Sequence, residues 1–303
     1  MWHRPLLFSP GAACALTTLG MLLAGPGALA QRTIPLNVAY DRIDVSIDGS
    51  IFLLSTGRCT LTRILPDGSA PTTIGGPGWQ GGQFDAPADL WARNGVDIMV
   101  ADENNHRIQR FDRSLAFVAE LSTRDDSYPE RRFGYPRGVA LSRQGDLFLS
   151  DGENVRALKV TGFKNVERAF GTFGGGKGKL AAPTEVEVGP DDIVYVLDTG
   201  RIVLFDSFGN FLRALPESLF TRPSAITSDD RGTLVFDDTV FHYIDRSGTI
   251  AGRIGISSIF PGADSPPRDI ALAPGKLYLL LRDGIAVCPD PRDNFLESHR
   301  KSE

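Results

Sequence analysis

A proline and an aspartate recur fifteen residues apart four times along this chain: Pro87 and Asp102, Pro136 and Asp151, Pro183 and Asp198, Pro223 and Asp238. With Pro267 as a fifth anchor, successive prolines lie 49, 47, 40 and 44 residues apart. A period of this size marks a repeat architecture, in which each unit has an apolar face that its neighbour must cover. The run before each aspartate is short and apolar, as in Asp97-Ile-Met-Val-Ala-Asp102 and Asp192-Ile-Val-Tyr-Val-Leu-Asp198. The Pro267 unit is weaker, with Leu281 where an aspartate is expected. Gly49-Ser-Ile-Phe-Leu-Leu-Ser55 falls on the same grid with Tyr40 in the proline position, giving six units between residues 40 and 290.

Each unit reads as four strands. In the Pro183 unit they are 185–188, 193–197, 202–205 and 211–215, rich in Val, Ile, Leu and Phe. Asp206-Ser-Phe-Gly209, Asp245-Arg-Ser-Gly248 and Pro66-Asp67-Gly68 supply hairpin turns. No amphipathic run is long enough for a solenoid of helix pairs. Four-stranded antiparallel sheets repeated radially predict an all-β, six-bladed β-propeller. The last unit offers only three strands before the chain turns polar. The unassigned apolar segment 33–39 is therefore expected to close the ring as the outermost strand of the last blade, removing a free edge.

The repeat resembles the NHL-repeat family of six-bladed β-propellers. The likeness is closest in 82–112, where Phe84, Pro87, Gly95, Val100-Ala101-Asp102, Asn105-His106-Arg107-Ile108 and Phe111-Asp112 fall on the family's motif. It covers roughly residues 35–290 and implies an interaction module. It implies little about activity, because one fold carries many functions.

Around this propeller (31–290) the chain divides into a leader, 1–30, and a polar tail, 291–303. Arg4, an apolar stretch from Ala15 to Leu23, and Ala28-Leu29-Ala30 together predict a signal peptide cleaved after Ala30, hence a secreted or periplasmic protein. An uncleaved anchor is the alternative, but Pro10 and Gly25-Pro26-Gly27 interrupt the run, and no other segment is long enough to span a bilayer. Beyond the leader stand two cysteines, Cys59 and Cys288, whose places in the repeat predict separate thiols. The net charge of −5 and isolated basic residues argue against a nucleic-acid partner.

Two sets of residues could carry chemistry. Asp102, Asp151, Asp198 and Asp238, with Arg107, Arg156 and Arg201, recur once per blade, so their economical role is structural, each Asp capping a turn and each Arg pairing with it. Departures from the repeat are the better functional candidates. Two and four residues past the anchors, on the innermost strands, stand Arg42, Asp44, Asp89, Trp91, Glu185, Glu187 and Asp269, with Arg137 and Arg268 nearby. Carboxylates lining an axis are able to hold a divalent cation such as Ca²⁺ or to divide acid and base roles; buried ion pairs are the plain alternative. Trp79, in a Gly-rich interblade linker, is either a ligand anchor or packed over a blade edge. Only His106 and His242 fall inside the propeller, too few for a three-His zinc site, and no Gly-x-Ser-x-Gly elbow is present. Gly171–Gly178 lacks the final Ser or Thr of a phosphate loop. The expected function is thus a monomeric, non-enzymatic scaffold for a protein or peptide, without a resident cofactor. The rival is a metal-assisted hydrolase or lyase using Asp44, Asp89, Glu185, Glu187 and Asp269.

Overall fold

The structure is a computed structural model that describes residues 32–174, 176–261 and 265–293. Six four-stranded antiparallel sheets are arranged as the blades of a β-propeller. Their innermost strands are Arg42–Val45, Pro87–Trp91, Pro136–Leu141, Pro183–Val188, Pro223–Asp229 and Asp269–Ala273, in blades 1 to 6. In blades 2 to 5 the anchor proline opens the strand, where its missing N–H costs no ladder bond. The pairing with the second strand shifts register just after it, between Pro87 and Asp89, Pro183 and Glu185, and Pro223 and Ala225. Such a bulge bends the strand and re-aims the side chain two residues on.

The ring closes as expected. Arg32–Pro35 pairs antiparallel with Gly284–Pro289, Ile34 opposite Ile285, and forms the outermost strand of blade 6. The expected segment 33–39 is strand only in its first part, and Leu36 N–H still bonds to Asp283 O at 2.9 Å. The leader, 1–30, lies outside the described residues.

Aromatic and aliphatic side chains fill the wedges between blades. Phe148, Phe170, Phe205 and Phe211 form a ladder of edge-on rings crossing from blade 3 to blade 4, with centroids 6.4, 4.9 and 6.3 Å apart. Cys59 packs between blades 1 and 2 and Cys288 between blades 5 and 6, so the two are separate buried thiols. Burial pushes the Cys288 thiol up to about 11.

The first residues past the last strand are tied to the propeller. Arg292 is 0% exposed and holds Asp229 at 2.5 Å and Asp290 at 2.6 Å. The carboxylates of Asp229 and Asp290 offset the cost of burying the guanidinium, so the chain is clasped to blade 5 beyond its last strand. Residues 294–303 lie outside the described residues.

Candidate functional site: the axial channel and the linker face

Every inner strand is the edge of its sheet, and some of its N–H groups point away from the second strand with no ladder partner. Side chains of the neighbouring blade accept from them. Asp89 of blade 2 accepts from Val139 N–H of blade 3 at 2.9 Å. Glu185 of blade 4 accepts from Ile226 of blade 5 at 3.1 Å, and Asp269 of blade 6 from Ile43 of blade 1 at 2.8 Å. These three residues stand two past their anchors and serve alternate junctions. Two of the remaining junctions are strapped one layer deeper, by Asp44 to Ala92 at 2.7 Å and by Thr227 to Leu272 at 3.2 Å. At the junction of blades 3 and 4 the position two past the anchor is Gly138, where a Cβ would lie 2.6 Å from Val186 N. Here the inner strands approach directly, and only glycine fits.

Two arginines cross this ring of acceptors. Arg42 donates to Ala88 O at 3.1 Å and lies 3.8 Å from Asp89. Arg93, six residues past Pro87, reaches from blade 2 to Glu187 of blade 4 in a two-pronged pair at 2.6 and 3.3 Å. It also meets Thr227 of blade 5 at 3.5 Å. The cavity bounded by Asp44, Asp89, Trp91, Arg93, Glu185 and Asp269 has a volume of about 20 Å³, room for about one water molecule. Trp91 Nε1 and Arg93 Nε are buried without a hydrogen-bond partner among the described residues. Burial pushes Asp89 up to about 8 and Asp269 to about 6, against the pull of Arg42. Glu185 is raised well above its ordinary value by burial and by the charge of Asp269. Asp44 and Glu187 are raised by burial and held back by Arg93. Among the described residues no three His, Cys, Asp or Glu side chains cluster in the way a metal site groups them.

The residues repeated once per blade sit under the linkers. Asp102 is fully buried and accepts from Asp85 N–H, Asn105, Gln109 and Arg107, the last at 2.8 Å. Asp151 and Arg156 pair at 2.9 Å, and Asp198 and Arg201 at 3.0 Å. Asp238 is a correction. The hairpin closing the first two strands of blade 5 is one residue shorter, so Pro223 pairs with Asp237, not Asp238. Asp237 accepts from Thr221 and Arg222 N–H and faces His242 Nε2 at 3.4 Å, whereas Asp238 sits in the following turn and pairs with the exposed Arg222. Burial lowers the pKa of His242 despite that carboxylate.

Arg137 and Arg268 do not join the axial cluster. They pair with Glu103 at 3.0 Å and Asp41 at 3.1 Å on the face made by the interblade linkers and the loops between second and third strands. The Trp79 ring is not packed over a blade edge: the residue is 80% exposed, while its backbone carbonyl is held by Arg107 at 2.6 Å. Phe173 is 88% exposed in the equivalent linker before blade 4. Tyr128 and Tyr135, in the linker between, are exposed too. His106 belongs to this face, edge-on to Tyr135 with centroids 4.3 Å apart and accepting its N–H at 3.1 Å.

No family model matches the chain. Over 138 residues it is 30% identical to the protein brain tumor of Drosophila melanogaster, covering 43% of this chain and 12% of that protein. A streptogramin B lyase superposes with a TM-score of 0.62 at 15% identity, over 85% of this chain and 96% of that one. The WD40 repeats of RRP9 give 0.60 at 10% identity, covering 86% and 97%. A gluconolactonase of Xanthomonas campestris gives 0.61 at 11%, covering 87% and 90%. At these identities the likeness is one of fold.

Proposed function

We propose that this chain is an NHL-type propeller that works as a non-enzymatic scaffold, holding a protein or peptide on its linker face outside the cytoplasm. The observation that carries the reading is the row of exposed aromatics on consecutive linkers of one face: Trp79, then Tyr128 and Tyr135, then Phe173. Aromatic side chains left in water on one face are what interfaces bury as anchors. The axis supports the same reading from the other side. Its carboxylates strap blades together, and Arg42 and Arg93 cross the space that a substrate would need. The motif in 82–112 supports the family, and the basic, apolar and small-residue pattern of 1–30 supports export of a chain starting at Gln31.

A photo-crosslinking residue placed at 79 or 173 in the producing cell tests this. Discrete adducts are expected there and not from position 208, a hairpin tip on the opposite face. Equal labelling from all three positions, or none, overturns the reading. N-terminal sequencing of the exported protein should begin at Gln31.

A further inference from the structure

One junction between blades departs from the others on the face opposite the linkers. Between blades 2 and 3 lies a cavity of about 220 Å³, lined by Met99, Leu141, Leu147 and Phe163, with Asp97 and Arg110 at its rim. Its lining is mixed, with Met99, Leu141, Leu147 and Phe163 apolar and Asp97 and Arg110 charged. A dry, apolar cavity of ~150 Å³ is enough to bind benzene, so this one has room for a group of about six carbons. The corresponding place in the next junction is filled: Lys159 lies 5.6 Å from the Phe208 ring centroid and pairs with Asp146 at 3.1 Å. In blade 2 the matching pair is Arg110 and Asp97, at 2.6 Å. Arg110 Nε and Nη2 both turn to Asp97 Oδ1. Its Nη1 makes no hydrogen bond among the described residues. Gly145 and Gly162 leave the rim bare, with no heavy atom within 4 Å of where a Cβ would stand.

We propose that this interblade cavity binds a small amphipathic carboxylate, its apolar body on Met99, Leu141, Leu147 and Phe163 and its charge on the free edge of Arg110. An apolar cavity alone takes any hydrocarbon. The guanidinium selects an anion, because a charge-assisted bond at a half-buried rim is worth more than a neutral one. The site is separate from the linker face and does not depend on what that face holds.

Met99 is the only methionine after residue 21, so a methyl-labelled chain beginning at Gln31 gives one reporter in the cavity floor. Titration with hexanoate should move the Met99 methyl resonance and saturate in the millimolar range. Hexanol should bind about ten-fold more weakly, the difference expected for one hydrogen bond to a charged group, and hexylamine more weakly still. Arg110→Gln should bring hexanoate down to the level of hexanol while leaving hexanol unchanged. A Met99 resonance that ignores hexanoate overturns the site. Equal response to hexanol and hexanoate, or an Arg110→Gln protein that still prefers hexanoate, overturns the role of the arginine.

Discussion

Replacing Asp89 separates a strap from a reactive acid. In Asp89→Ala the Val139 N–H loses its acceptor inside the ring. An unsatisfied buried donor costs about 1–3 kcal/mol, which in a domain of this size lowers Tm by roughly 2–4 °C per kcal/mol; near pH 4, where Asp89 is neutral in the folded state, a fall of about 5 °C is expected. Asp89→Asn keeps an oxygen in the same place and matches the neutral, protonated acid that the folded state holds, so near pH 4 its Tm should stay within about 2 °C of the parent. The two variants also part with pH. Burial raises Asp89 to about 8 from an ordinary 3.8, so the folded state holds a proton that the unfolded chain releases. That contribution is complete below about pH 4, shrinks by at most ~1.4 kcal/mol per pH unit through the interval up to about 8, and is gone above it. The parent should therefore lose stability between pH 5 and pH 8 more steeply than Asp89→Asn. Calorimetric melts from about pH 4 to pH 8 decide it. An Asn variant as unstable as the Ala variant, or one with the parent's pH slope, refutes the argument.

Three further outcomes follow from the fold. Deleting residues 32–36 opens the edge of blade 6 and should lower the melting temperature by more than 10 °C; an unchanged melt would dismiss the closure. Gly138→Ala drives a Cβ into the backbone of blade 4 and should cost at least about 2 kcal/mol in denaturant unfolding, as overpacking does. Asp237→Ala should destabilise by about 2 kcal/mol or more, since it strips Thr221, Arg222 and His242 of an acceptor, while Asp238→Ala stays within about 0.5 kcal/mol; the reverse order would restore the uniform fifteen-residue spacing.

The blades were readable from the chain because short apolar runs and a fixed Pro-to-Asp offset report backbone geometry directly. The first strand's place was readable by elimination, since blade 6 lacked a partner. Asp237 was hidden by a hairpin one residue shorter than its counterparts, a change that shifts every later position in that blade without altering composition. The axial carboxylates could be listed by register, but their role could not, because it depends on N–H groups in the next blade. Arg93 went unread although it carries a signal: at the sixth position past the anchor the other blades have Ser46, Ser142, Gly189, Asp229 and Ala273. The cavity under Arg110 has no linear pattern at all, being a difference between two junctions.

Ile34 and Ile285 face each other across the last sheet, although nearly the whole chain separates them. Hairpins within a blade form from near neighbours, whereas this pairing must wait until the final blade exists. Folding should end with a slow suturing of head to heel, and until then the earliest segment made is a sticky flap, open to a wrong mate or a second molecule. Once sewn, Arg32–Pro35 cannot peel away without baring the edge of Gly284–Pro289.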